Sequence, residues 1–403
     1  MPEHLPPTGA DNVALAGLWP YKIVSIHMQS NRPSEFVQFL DRIEASADHP
    51  EDIEVIVKID DTDRPMNELL DAEVKRRRCT LKFISTPLPD GFYGLWRSMN
   101  DLLHVADPQA YFVINLNDEM WFATKGWDSL LRRRVGLFPD HIFRLRTSVL
   151  NRHRNYHDVW QCGFAPDTSA FITQKWLRLC GDWTPCTGPE TFQQCVAYFL
   201  SYHQRFSQNA SCRDVAIDDI VVQGEGANGN VSDYRALRLR HSGAVKQWFI
   251  LMSHRMQQKA SQRAQLLRAH IFVAERQLTD VSIRERRGSI EVVADGRVIR
   301  QYDFRLSRLR IGLTNFLRFF NYHFYGGGGD EIGHNTLWNT YSVIRLLIEG
   351  TDIYGYYWKL SHEPRPNNPT VRDYLIRGTI LALVIIPRAI TRRLAAAHHR
   401  PDH

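Results

Sequence analysis

The run from Tyr111 to Phe122, YFVINLNDEMWF, places Asn117, Asp118 and Glu119 directly after a stretch of apolar residues. Oxygen-bearing side chains of this kind hold a hard divalent cation or accept from hydroxyl groups. Two other apolar runs end similarly. YKIVSIHM is followed by Ser30, Asn31 and Arg32, and IEVIVKIDD closes on Asp60 and Asp61 with Asp63 just beyond. A single acidic strand end reads as a solvated turn. Several that meet at one edge point to a cation, because carboxylates gathered without one repel each other.

Further acids lie downstream. Asp182 follows Gly181, and Glu190 follows Pro189 in TPCTGPETF, where the proline suits the first turn of a helix. A carboxylate there also complements the helix dipole, so a structural role for Glu190 stays open. Asp218 and Asp219, in VAIDDIVVQG, read as a turn before a strand.

These residues need elements to position them, and the chain supplies an alternation. Tyr21 to Met28 reads as a strand, RPSEFVQFLDRIEASA as an amphipathic helix, and IEVIVKI as a β-branched strand. A charged helix around NELLDAEVKRRR, the strand TLKFIST, a glycine turn PDGFYG, the helix LWRSMNDLLHVA and the strand AYFVINL continue it. The pattern predicts an α/β fold, with a mostly parallel sheet covered by helices on both faces. In such sheets ligands bind outside the carboxyl ends of the strands, where the acids fall.

With these motifs in place, residues 22–131 resemble the nucleotide-sugar-binding half of a GT-A glycosyltransferase, most similar to the family 2 type, and residues 135–242 follow it loosely. The resemblance implies that Ser30, Arg32 and Asp60, with Asp61 beside it, hold the nucleoside. It matches the family's glycine loop to Gly91 and Gly94, with Arg97 and Asn100 on the next helix. The family's Asp-x-Asp motif falls on Asn117, Asp118 and Glu119, so Asn117 and Asp118 would meet the donor and Asp118 and Glu119 the metal. This chain departs from the motif at both ends. Asn117 is neutral but still accepts a hydrogen bond, and Glu119 keeps the charge while reaching one methylene further.

The same resemblance implies Mn²⁺ or Mg²⁺ as cofactor, a nucleotide-diphospho-sugar donor, Glu190 as catalytic base with Asp182 as runner-up, and His241 as a further metal ligand. Mg²⁺ usually needs only one or two protein carboxylates, since phosphates and water supply the rest. The reaction implied is sugar transfer to an acceptor hydroxyl with inversion. The acceptor would be a glycan or lipid-linked glycan of surface-polysaccharide or glycolipid synthesis.

The wider composition bounds this reading. The chain has 403 residues, 43% apolar and 23% charged, with a net charge of +6. From Arg305 onward there are 13 Lys+Arg against 7 Asp+Glu, so the basic excess lies in the last quarter. Six scattered cysteines form no CxxC pair, which argues against a zinc site or a disulfide framework. The N-terminal MPEHLPPTGADN lacks an apolar core of the signal-peptide kind. A cytoplasmic setting is the expectation, peripheral to the inner face of a membrane.

The expected organisation is a tail over 1–20, a catalytic domain over 21–243, a helix with accessory strands over 244–304, and a basic, aromatic helical appendage over 305–403. The apolar, uncharged run of that appendage from Gly378 to Pro387 falls far short of the roughly twenty residues that span a bilayer. Its helices could instead lie on a membrane surface or pack on one another. Nucleic acid is not an expected partner, because the positive charge is interleaved with an apolar helical face. A sugar-1-phosphate nucleotidylyltransferase would share the sheet, but this chain shows no early glycine-rich, basic signature for a triphosphate. A noncatalytic binding module on a degenerate fold is the other alternative.

Overall fold

The computed structural model describes residues 22–87, 95–147, 169–186, 188–202, 212–224 and 254–311. The chain divides into two compact units: Met1–Gly229 with Leu251–Leu306, and Asn230–Ile250 with Ser307–His403. Every element below belongs to the first. The predicted appendage lies outside the described residues beyond residue 311.

Strand β1 (Val24–Gln29) is followed by helix α1 (Pro33–Ser46), β2 (Ile53–Ile59), α2 (Arg64–Arg76) and β3 (Thr80–Ser85). Phe36, Phe39, Leu40 and Ile43 recur at helical spacing and form the buried face of α1. Asp63 caps α2 by accepting from the Met66 N–H at 3.2 Å, a contact typically worth about 1 kcal/mol. Helix α3 (Leu95–Val105) leads to β4 (Phe112–Asn115), and a turn over 116–119 leads on to β5 (Met120–Phe122) and α4 (Trp127–Arg132). Then come β6 (Arg144–Arg146), β7 (Phe171–Thr173), α5 (Gln174–Cys180), α6 (Pro189–Ala197), β8 (Asp214–Ala216) and β9 (Val222–Gly224).

The central sheet has seven strands in the order β3-β2-β1-β4-β7-β6-β8. β1 pairs in parallel with both β2 and β4, and β2 with β3, while β7 runs antiparallel to β4 and β6. The mostly parallel α/β sheet is therefore the one the sequence predicts, and β7 is the departure from it.

Side chains alternate across this sheet. Val24, Ile26, Met28, Ile53, Val55, Val57, Phe112 and Ile114 join α1 and α2 in one apolar core. Ser25, His27, Glu54, Lys58 and Asn115 occupy the alternate positions, on the face where α3 packs against β1 and β2. Helices thus cover both faces. The order reverses at β1, which has β2 and β3 on one side and β4 on the other, so a crevice opens at the carboxyl ends of β1 and β4.

The turn after β4 is clamped from beyond. The Met120 N–H closes it by donating to the Asn117 carbonyl at 2.9 Å. β5 pairs antiparallel with β9, and Phe122 stacks on Trp127 and Phe171 at centroid distances of 3.8 and 5.8 Å. Asp128, fully buried, accepts from the backbone N–H groups of Asp48 and His49 at 2.8 Å each and ties α4 to the end of α1.

A separate three-stranded antiparallel sheet, β10 (Val281–Arg286), β11 (Ser289–Ala294) and β12 (Arg297–Asp303), packs Ile290 and Val292 against Ala269 of α7 (His254–Glu275). Its hairpins turn at Gly288 and at Asp295-Gly296, the glycine and Asp-Gly turn signals of the stretch VSIRERRGSIEVVADGRVIRQYDF. Asp295 and Gly296 have φ of +50° and +73°, the left-handed pair that a two-residue hairpin requires.

The polar face of the central sheet carries a buried relay. Trp183 Nε1 donates to His27 Nδ1 at 3.0 Å, which leaves the proton of the neutral ring on Nε2, 3.2 Å from Ser25 Oγ. Ser25 in turn donates to Glu54 at 2.6 Å, and Glu54 pairs with Lys82 at 2.5 Å. His27 has no exposed surface, and burial pushes its pKa down from 6.5 to about 3. The unfolded chain takes up this proton below about pH 6.5 and the folded chain only near pH 3, so His27 costs stability as pH falls through that window. Unfolding free energy should drop by about 2 kcal/mol between pH 7.5 and pH 5 from this residue. Urea titrations at the two pH values on the wild type and His27→Gln check it: the variant should lose that share of the pH dependence.

Candidate active site

The crevice at the ends of β1 and β4 brings together residues far apart in sequence. Ser30, just past β1, donates to Asp118 Oδ2 at 2.6 Å. Arg32, two residues on, donates from Nε to the same oxygen at 3.2 Å and from Nη1 to Glu119 Oε1 at 2.7 Å. Its Nη2 closes on Asp118 Oδ1, so one guanidinium grips both carboxylates. The two acids raise the Arg32 pKa further above its ordinary value. The Asp118 side chain is 6% exposed, whereas those of Arg32 and Glu119 are 38% and 43% exposed. The buried acid is thus anchored and the outer pair faces the crevice.

Local sequence explains the placement. Pro33 starts α1 directly after Arg32, which is the N-cap residue but makes no side-chain capping bond. Its side chain is free to cross to the neighbouring strand end. Asn117 is exposed, and its backbone carbonyl accepts within the turn.

Glu190 reaches the same strand end from the other face of the sheet. It lies in the first turn of α6, behind Gly188 (φ +78°) and Pro189. There it accepts a hydrogen bond from Asn115 Nδ2, at the last residue of β4. Asp182 is drawn elsewhere: Arg263 of α7 holds both its carboxylate oxygens, at 2.6 and 2.7 Å. Asp219, in the turn between β8 and β9, pairs with Arg134 at 2.6 Å.

The remaining sequence candidates divide. At the end of β2, Asp60 folds onto Thr62, accepting from its N–H at 3.1 Å and its hydroxyl at 2.8 Å. These bonds hold its carboxyl below the usual range. Asp61 is exposed beside it. Arg97 lies over the Trp96 ring at 5.4 Å. Asn100 is used structurally: its Oδ1 accepts from the Trp183 and Thr184 N–H groups at 2.9 and 3.3 Å, and its Nδ2 donates to the Thr184 carbonyl at 3.0 Å. Gly91, Gly94 and His241 lie outside the described residues.

Two contributors escaped the sequence reading. One is Asn115, which sits inside an apolar run and gives no local signal. The other is the cationic role of Arg32, whose clue is a basic residue at one strand end and acids at another; that clue becomes legible only once β1 and β4 are known to be neighbours.

Two carboxylates that converge on one cation are the donor set a hard divalent metal requires. The guanidinium occupies that position here. Among the described residues no group of three or more His, Cys, Asp and Glu side chains is arranged around a metal position, so Asp118 and Glu119 would hold a cation with oxygens from the ligand and water.

No family model matches the chain, and no curated protein matches it. Solved structures do show likeness. The mannosyltransferase PcManGT of Pyrobaculum calidifontis, in complex with GDP-Man and Mn²⁺, is 12% identical at a TM-score of 0.43, over 83% of this chain and 93% of that one. S. aureus TarS 1–349 in complex with UDP-GlcNAc is 12% identical at 0.36, over 68% and 97%. Glucosyl-3-phosphoglycerate synthase of Mycobacterium tuberculosis, with Mg²⁺ and UDP, is 11% identical at 0.35, over 61% and 86%. TM-scores of this size do not carry the reading of the site, which rests on its own geometry.

Asn100→Ala should cost about 1–3 kcal/mol by stranding buried groups of the 183–184 loop. Urea unfolding measures it.

Proposed function

We propose that the protein is a GT-A-type glycosyltransferase that moves a sugar from a nucleotide-diphospho-sugar to an acceptor hydroxyl. The supporting observation is the convergence at the end of β4: Asp118 and Glu119 with the Arg32 cation on one side, and Glu190, bonded to Asn115, on the other. A charge-binding group and a candidate base flank one strand end, at the point where an α/β sheet opens for ligands. The family resemblance of residues 22–131 supplies the reaction class.

In this reading the donor diphosphate lies beside Asp118 and Glu119, and Asp60 and Asp61 face the nucleoside. Asp118 and Glu119 would hold the Mn²⁺ or Mg²⁺ ion, and the chemistry that ion supplies is neutralisation of the diphosphate charge as the leaving group departs. Glu190 removes the proton from the acceptor hydroxyl while its oxygen attacks the anomeric carbon. The bond from that carbon to the diphosphate oxygen breaks on the opposite side, so the product is inverted. The proton ends on Glu190 and the electron pair on the nucleoside diphosphate. Asn115 orients the Glu190 carboxylate. Asp182, paired with Arg263, serves structure in this scheme.

The acceptor class completes the proposal: a glycan or lipid-linked glycan, met at a membrane surface by the basic, aromatic segment 305–403. Among the described residues no helix is long and apolar enough to cross a membrane. Vesicles containing anionic lipid should co-float with the full chain and release it in high salt.

Glu190→Gln should lower kcat by about 10² to 10⁴-fold with donor affinity unchanged. Asp182→Asn should lower the melting temperature and leave kcat within about tenfold, as expected of a group that touches no substrate. Thermal-shift measurements with UDP, GDP and CMP and their sugar conjugates, each with Mn²⁺, Mg²⁺ or EDTA, test the donor class. One nucleotide should stabilise the fold only with metal. No shift under any condition would sink the enzyme reading.

A further inference from the structure

We propose that Arg32 is the resident cation of the donor site. It holds Asp118 and Glu119 until a divalent cation arrives with the nucleotide, then exchanges those carboxylates for the donor diphosphate. The proposal rests on the glycosyltransferase reading and deepens it.

The geometry leads there in three steps. First, the acids are already engaged: Asp118 Oδ2 takes both Ser30 Oγ and Arg32 Nε, Asp118 Oδ1 takes Nη2, and Glu119 Oε1 takes Nη1. A metal held by both acids has to displace the guanidinium. Second, the displacement is mechanically cheap. The Arg32 side chain is 38% exposed and caps no backbone group of α1, so its release leaves the helix intact. Third, charge decides when it happens. Two carboxylates against one guanidinium leave a single negative charge, and a divalent ion arriving alone would sit beside the arginine it had just expelled. A diphosphate arriving with the ion gives the freed guanidinium a new anionic partner, and its planar fork suits phosphate oxygens.

Metal and nucleotide should therefore bind as coupled ligands, each weak without the other. Part of that coupling runs through one side chain, and removing that side chain should weaken it.

The test is Mn²⁺ binding followed by the electron paramagnetic resonance of the free ion, on the full chain as wild type, Arg32→Gln and Arg32→Lys. Melting curves in EDTA confirm that each variant is folded. Mn²⁺ alone should bind Arg32→Gln about tenfold more tightly than the wild type, within the usual range of site-to-site coupling. UDP or GDP, whichever stabilises the protein, should tighten Mn²⁺ binding to the wild type by a larger factor than to Arg32→Gln. With Mn²⁺ present, that diphosphate should bind Arg32→Gln about tenfold more weakly, and the nucleoside monophosphate should be affected less. Arg32→Lys keeps the charge without the fork and should fall between. Should Arg32→Gln fail to fold, the same comparison is made with Arg32→Lys.

Equal affinity of wild type and Arg32→Gln for Mn²⁺ alone would overturn the exchange. Absence of Mn²⁺ binding to either protein, with nucleotide still bound, would overturn both the exchange and the metal role of Asp118 and Glu119, leaving the nucleotide site standing. Absence of nucleotide binding would remove the glycosyltransferase reading, even if the Mn²⁺ comparison came out as expected.

Discussion

Two carboxylates on adjacent residues of a tight turn repel each other unless a cation lies between them, and the arrangement of the crevice follows from that constraint. Asp118 is nearly buried, which raises the cost of leaving its charge uncompensated. The compensating group comes from the neighbouring strand, because β1 and β4 are paired in parallel and both end at the same edge. Ser30 and Arg32 are the first residues past β1 able to reach. The apolar stack of Phe122, Trp127 and Phe171 and the pairing of β5 with β9 hold the turn from the far side. The backbone that carries the two acids is therefore held in place.

The opposite face of the sheet has a different task. A relay from Trp183 through His27 and Ser25 to Glu54 crosses β1 and β2 beneath the site. Asn100 binds the same 183–184 loop from α3, and Gln193 of α6 joins it through Trp176 and the Trp183 carbonyl. These bonds set where α6 begins, and so where Glu190 meets Asn115. Glu190 is placed by a buried polar network, and Asp118 and Glu119 by charge pairing with Arg32 across strand ends. Each half can be disturbed without the other, which is why stability, nucleotide binding and turnover should separate among the variants.

Much of the fold was legible in the sequence. Alternation of β-branched runs with amphipathic helices predicted the parallel α/β sheet, and the acidic strand ends fell at its carboxyl edge. The Asp-Gly and glycine turns of the accessory sheet were visible because two-residue hairpins demand left-handed residues. The reversed direction of β7 was not, since a three-residue strand carries no mark of its orientation. Nor was the partnership of Arg32 with Asp118 and Glu119, which depends on the lateral order of strands rather than on any local pattern. The family resemblance alone places Asn100 among the donor contacts. Its side chain instead satisfies backbone groups 83 and 84 positions away, a use that local spacing does not reveal.

The central claim is that the donor diphosphate and its metal ion lie at the crevice between β1 and β4. A crystal structure with Mn²⁺ and the stabilising nucleoside diphosphate, recorded at a wavelength where manganese scatters anomalously, tests it most directly. The account predicts one anomalous peak bridging Asp118, Glu119 and the diphosphate, with the Arg32 guanidinium turned from the carboxylates onto phosphate oxygens. A peak elsewhere, or a nucleotide bound with the Arg32 pair to Asp118 and Glu119 unbroken, would contradict it.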